Sequence, residues 1–293
     1  VHVRSVSDRT SGGPLGGFVH DGAELNPGGS SVPGSGDLAR ELRWYKRHRG
    51  DHVARYRWVA GRIAGGRVLD VGCGHGFGAA FLAPSVREYV GLDVDADAIA
   101  WASSAFGRRF PHATFLETSD VPEDGKFDAV VCFEVLEHVR DPARLLANLR
   151  SAAAPGAPVF VSTPNGSLSD GRPAWFMSPF HLAEFTASQF VGLLDRAFGP
   201  GGECFVQSRV DGLDWLPQAL RLGLATSRGA RSAHAAAPSD TTPSALRAGH
   251  ALLRRVPSPA ALWKLRPLPA PLRDGIRYSH LLWVGRRPAR GPE

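Results

Sequence analysis

The run Val68-Leu69-Asp70-Val71-Gly72-Cys73-Gly74-His75-Gly76-Phe77-Gly78 decides how the rest of the chain reads. A short apolar strand delivers the backbone to a cluster of glycines, and a helix is expected to begin there. Glycine lets the chain turn tightly and approach a ligand, while the helix start points unsatisfied N–H groups at it. A dinucleotide turn needs the spacing G-x-G-x-x-G wrapped on a pyrophosphate. Here the glycines fall at 72, 74, 76 and 78, and Asp70 precedes them. A carboxylate there repels a pyrophosphate but suits the amino group of an amino-acid-like ligand. The turn therefore does not read as a nicotinamide site.

On both sides of this run, strands and helices alternate. A helical segment is expected over about 37–64, rich in Arg and aromatic residues, then the strand Arg67 to Val71 and a helix Gly78 to Ala83. Strands follow at 89–93, 114–116, 128–133 and 158–162, separated by helices at 96–106 and 142–153, with another helix at 187–197. Short apolar strands alternating with helices imply a parallel sheet covered on both faces. The expected fold class is α/β, a Rossmann-like doubly wound, mostly parallel sheet. Such a sheet binds ligands beyond the carboxyl ends of its strands, near the first one. The end of the chain is less regular. Strands are expected at 204–210 and 278–284, antiparallel to each other, with a long insertion before the last. The division expected is a flexible leader 1–36, a ligand-binding domain 37–211, an insertion or lid 212–277 that is partly disordered, and a terminal strand and tail 278–293. The Ala/Ser/Thr/Pro-rich tract 225–245 is the expected mobile part.

The leader is rich in Gly, Ser and Pro and has no apolar h-region of a signal peptide, and no run of about 18 apolar residues spans a membrane. Cys73, Cys132 and Cys204 are scattered and form no CxxC pair, which fits a reducing cytoplasm better than a disulfide framework. The formal charge is +6, and from residue 212 onward thirteen Arg or Lys face four Asp or Glu. That excess could attract phosphate or nucleic acid. Lysine occurs only at 46, 126 and 264, so arginine-favouring codon usage explains the excess equally well.

The run VLDVGCGHG resembles the first motif of class I S-adenosylmethionine-dependent methyltransferases. The likeness continues in order through GLDVD at 91–95, FDAVVCFEVLEHV at 127–139 and VFVSTPN at 159–165. The resemblance implies S-adenosylmethionine as cofactor, held by Asp70 and the turn Gly72, Cys73, Gly74 and Gly76. It implies that Asp93 binds the ribose hydroxyls, Val94 packs on the adenine, and Ser119 or Asp120 meets its edge. Phe133, with Cys132, would lie beside the methionine part, and Arg55 and Tyr56 where related enzymes touch the cofactor's carboxylate.

Glu134, Glu137 and His138 follow the fourth strand at helical spacing, i, i+3 and i+4, so a helical turn would place them on one face. His181 opens a later His-Leu-Ala-Glu-Phe-Thr. Two Glu and two His can hold a divalent metal (Mg, Mn or Zn) that lowers the pKa of an acceptor hydroxyl. Without metal, His138 or His181 could serve as general base. A third reading makes the two Glu a helix cap and His138 packing. E-x-x-E-H resembles ubiquinone-pathway, glycan and natural-product O-methyltransferases. Together with S-T-P-N and H-x-x-E-F-T it also resembles small-RNA 2′-O-methyltransferases, but 177–180 lacks their His-rich context. The expected function is therefore O-methylation of a small hydroxylated acceptor: a sugar, a glycan or a secondary metabolite from natural product biosynthesis. RNA 2′-O-methylation with a metal is the alternative, and a non-catalytic S-adenosylmethionine-binding protein a third. Trp175, Phe176 and Phe180 could wall an acceptor site or belong to the core.

Overall fold

The structure, a computed structural model, describes residues 38–122, 126–166, 181–209, 263–267 and 280–289. The helices are α1 (Leu38–His48), α2 (Gly50–Ala60), α3 (Ala79–Leu82), α4 (Ala96–Ala102), α5 (Pro142–Ala152) and α6 (Ala187–Phe198). The strands are β1 (Arg67–Val71), β2 (Glu88–Asp93), β3 (Ala113–Glu117), β4 (Ala129–Phe133), β5 (Pro158–Pro164), β6 (Glu203–Arg209), β7 (Trp263–Pro267) and β8 (His280–Arg286). They form one sheet in the order β3-β2-β1-β4-β5-β8-β6-β7. The pairs from β3 to β5 are parallel, whereas β8 runs antiparallel to both β5 and β6, and β7 antiparallel to β6.

Strand alternation explains the two cores. Along β1, Leu69 and Val71 face one side and join Val130, Cys132, Val159 and Val161 under α5 and α6. Val68 faces the other side with Tyr89, Val131 and Phe160, under α1 to α4. Helix ends follow the local chemistry. The Asp141 carboxylate accepts from Arg144 N with Pro142 in the first turn, and Thr186 and Gln189 form a reciprocal capping box for α6.

Three details differ from the sequence reading. The helix expected over 37–64 is two helices that part at Arg49, whose φ and ψ are −115° and 48°. The α-helix expected to reach Phe106 ends at Ala102 and widens into a π turn, Ser103–Gly107. Strand β7 lies inside the segment expected to be an insertion, where its register runs from Phe205 opposite Pro267 to Arg209 opposite Trp263. The alternation Trp-Lys-Leu-Arg is that of an edge strand with Lys264 and Arg266 outward, but the run is only four residues long before a proline and is easily passed over. The leader, the 225–245 tract and Trp175, Phe176 and Phe180 lie outside the described residues. No helix among the described residues is long and apolar enough to cross a membrane.

Candidate functional site

At the carboxyl end of β1 the chain turns through Gly72, Gly74 and Gly76, with φ of 75°, 51° and 68°. Only glycine enters that region at no steric cost. At Gly72 the space is closed as well, because an added Cβ would run into Val135 Cγ2. Gly72 and Cys73 both donate their N–H to Leu92 O, at 2.8 and 2.9 Å, which ties the turn to the end of β2. Asp93 completes the loop: Oδ2 accepts from Gly74 N at 2.7 Å and Oδ1 from Asp95 N at 3.0 Å. A crevice opens here between Val71, Gly72, Leu92, Asp93, Val94, Thr118 and Val121. Thr118 and Val121, not singled out in the sequence, supply its far wall. Ser119 and Asp120 occupy the same loop, with Asp120 exposed.

Asp70 sits behind the turn. It is fully buried, and its carboxylate accepts from Tyr89 OH at 2.7 Å and Tyr56 OH at 3.1 Å. Burial raises its pKa to about 7, against the lowering effect of the two tyrosine hydroxyls. The structure thus brings Asp70 and Tyr56 together as the support of the glycine turn. Cys73 is buried against Gly91, and burial pushes its thiol well above the usual range. Phe133 lies buried 5.1 Å from the Tyr56 ring, with the Arg55 guanidinium 5.8 Å from its centroid.

The Glu/His constellation does not converge as its spacing suggested. The segment after β4 forms a 3-10 turn over Leu136–His138, and Glu134 before it takes a φ of 57°. Strand β5 shows the consequence: its neighbours Ser162 and Thr163 point to opposite faces. Ser162 Oγ donates to Glu134 Oε1 at 2.7 Å, and Thr163 Oγ1 donates to Glu137 Oε2 at 3.1 Å. The two glutamates therefore stand on opposite sides. Glu137, His138 and His181 bring ligand atoms within 4.8 Å of one another, and Glu134 is not in that group. Glu134 stands apart because i and i+3 share a face only in a continuous helix, and the backbone here is not one. The His138 and His181 rings meet edge to face, with centroids 5.0 Å apart. Leu182 N donates to Glu137 O at 2.8 Å and draws the two segments together. Glu137 is fully buried, its Oε1 has no hydrogen-bond partner among the described residues, and burial together with the Glu134 charge raises its pKa to about 8.

The methyltransferase domain family matches this chain over residues 38–199. The chain belongs to that family. A probable S-adenosylmethionine-dependent methyltransferase of Mycolicibacterium smegmatis is 35% identical over 171 residues, 58% of this chain and 63% of the relative. A ubiquinone biosynthesis O-methyltransferase of Methylococcus capsulatus is 36% identical over 110 residues, 36% of this chain and 46% of the relative. The chain thus spans less than two thirds of the length of these relatives. Among solved structures, a possible histamine N-methyltransferase of Thermotoga maritima superposes with a TM-score of 0.52 at 13% identity, covering 85% of this chain and 95% of that one. A putative methyltransferase of Bacillus halodurans gives 0.51 at 16% identity, covering 81% and 99%. At such identities the likeness shows the Rossmann-like fold.

The crevice is the candidate site for S-adenosylmethionine, the cofactor in the name of the Mycolicibacterium relative. Asp93 keeps acceptor capacity beyond its two backbone donors, as a carboxylate offers about four lone-pair sites. Replacing Asp93 by Ala should weaken S-adenosylmethionine binding by about 1.5–3 kcal/mol, the range for hydrogen bonds to a charged group. Titration calorimetry on the folded variant checks this, and an unchanged affinity would contradict the assignment. A wider groove between α5 and α6, lined by Arg150, Arg196 and Arg287, lies elsewhere. Arg287 follows Arg286, which pairs with Pro158 at the start of β5, so this groove belongs to the opposite edge of the sheet.

Sequence reasoning missed a second polar group. Arg55, fully buried, donates from Nη1 to Gln207 Oε1 at 2.8 Å. Its Nη2 lies 3.5 Å from Glu134 Oε1 and 3.8 Å from Asp51 Oδ2. His280 Nε2 lies 3.3 Å from Glu134 Oε2 and 3.7 Å from Asp51 Oδ2. Burial lowers the His280 pKa to about 4, which keeps the imidazole neutral. Burial alone would raise Glu134 and Asp51, but neighbouring groups, the Arg55 guanidinium among them, hold both below the usual carboxylate range. A lone Asp in a helix and a His opening a strand carry no signal of this meeting.

Proposed function

We propose that this methyltransferase moves the methyl group of S-adenosylmethionine to a hydroxyl of a small hydroxylated acceptor such as a sugar, a glycan or a secondary-metabolite core. The observation that supports this reading is the group Glu137, His138 and His181 beside the glycine turn. The segment that bears Glu137 also carries Val135, which fills the space over Gly72. S-adenosylmethionine supplies an electrophilic sulfonium methyl. The acceptor oxygen forms a bond to that carbon as the carbon–sulfur bond breaks, so the hydroxyl proton must leave. His181 Nδ1 lies 3.2 Å from Glu184 Oε1, and a proton shared there makes Nε2 the lone-pair nitrogen that can take it.

The same three residues suit a divalent cation. Glu137 Oε1 is buried without a partner among the described residues, and one oxygen with two imidazoles fits Zn²⁺ better than Mg²⁺. A bound cation would lower the pKa of the acceptor hydroxyl. The test is methyl transfer from labelled S-adenosylmethionine to a panel of hydroxylated small molecules, their amino counterparts and RNA, with and without chelator. Turnover of hydroxylated acceptors is expected, abolished by chelator at unchanged cofactor affinity. Turnover confined to amines or RNA would overturn the acceptor class. A rate untouched by chelator would leave His181 as a metal-free base.

A further inference from the structure

Among the described residues, Glu134 is the one residue other than glycine with a positive φ. A long side chain there stores strain and persists only when its surroundings over-determine it. The surroundings do so from three elements. Glu134 N donates to Ser162 O at 3.1 Å on β5. Its carboxylate takes Ser162 Oγ, the Arg55 guanidinium from α2 and the His280 imidazole from β8. Gln207 on β6 locks the far side, bonding Arg55 Nη1 and donating from Nε2 to Asp51 O at 2.9 Å. The last strand enters antiparallel, with His280 opposite both Pro164 and Gln207, which brings it to the carboxyl edge of the parallel strands.

We propose that His280 and Arg55 are positioning residues for methyl transfer: they hold Glu134 in its left-handed turn, and that turn aims Glu137 and His138 at His181. The inference rests on the reading of Glu137, His138 and His181 as the group that activates the acceptor. Both positioning residues act through Glu134 and not on the acceptor itself. Released from its carboxylate contacts, Glu134 would relax toward ordinary backbone angles, and the 3-10 turn behind it would rotate. A misplacement of about 1 Å can cost about 100-fold in rate.

The test compares His280→Leu with His280→Gln in the full chain, reading kcat, KM, cofactor affinity and the imidazole NMR signals of His138 and His181. His280→Leu is expected to lower kcat about 100-fold at unchanged cofactor affinity, and to shift both imidazole signals. His280→Gln should restore most of the rate at an unchanged pH profile, because an amide N–H donates to Glu134 as the neutral imidazole does. A folded His280→Leu protein with unchanged kcat and imidazole signals would overturn the proposal. So would His280→Gln as inactive as His280→Leu with an altered pH profile, since His280 would then exchange protons itself. If His280→Leu does not fold, Ser162→Ala removes another holder of Glu134 and must also shift the imidazole signals. Absence of wild-type turnover on hydroxylated acceptors would sink the proposed reaction, while the imidazole signals would still decide the positioning role.

Discussion

Replacing Arg55 by Met is expected to destabilise the protein by about 3–5 kcal/mol, the range for removing one partner from a buried ion group. Met matches the length of the arginine stem, so the loss is one of charge and hydrogen bonding and not of volume. It leaves the largely covered Asp51 and Glu134 without the guanidinium between them, and it removes the Arg55 donor to Gln207 Oε1. The 3.5 and 3.8 Å separations are long for hydrogen bonds, so compensation of charge carries most of the effect. The pH dependence follows from the same contacts. Asp51 and Glu134 have folded pKa values below their unfolded ones, so in the native protein they contribute stability above about pH 4 that is lost as pH falls. Without Arg55 that contribution shrinks, and the two unfolding free energies should approach each other in acid. Urea unfolding at pH 7 and at about pH 2, below the unfolded pKa values, measures both. A penalty below about 1 kcal/mol at pH 7 would show that the remaining partners of Asp51 and Glu134 suffice without the guanidinium.

Exchange of Glu137 for Gln should move activity and stability in opposite directions. The amide keeps the volume and can still accept from Thr163 Oγ1, but it cannot carry the charge that a cation or a histidinium needs nearby. Turnover is expected to fall by about 10²–10⁴-fold, the usual weight of a group that manages proton transfer. The unliganded fold should gain. Glu137 has its folded pKa raised to about 8 by burial and by Glu134, above its unfolded value, so its protonated form stabilises the fold. The unfolded chain loses that proton first as pH rises, and native stability drops between about pH 4.5 and 8. The substituted amide cannot ionise at any of these pH values. The melting temperature of Glu137→Gln should therefore exceed that of the native protein by a margin that grows from pH 5 to pH 9. Equal margins at both ends would mean that Glu137 ionises freely in the fold.

The sheet and the glycine turn at its carboxyl edge are legible in the chain before it folds. Val68, Leu69 and Val71 divide between two apolar cores, and a buried parallel strand is mostly apolar on both faces, so the run announces itself with Asp70 as its one polar member. Gly72, Gly74 and Gly76 are legible for a related reason: their backbone angles exclude other residues locally, whatever the tertiary context. Asp93 ends its strand at a fixed distance from that turn, so spacing along the chain already carries its place. The acceptor side was another matter. Glu137 and His138 lie three and four residues beyond Glu134, and that spacing says nothing about whether the intervening backbone is helical. The answer lay in β5, which offers Ser162 to one face and Thr163 to the other, and in Arg55 and His280, which arrive from opposite ends of the chain. Contacts between residues 134 and 280 leave no local pattern, because they are set by which strands become neighbours. Only the inserted antiparallel strand β8 brings His280 to Glu134, and with it the side of the sheet on which each carboxylate stands.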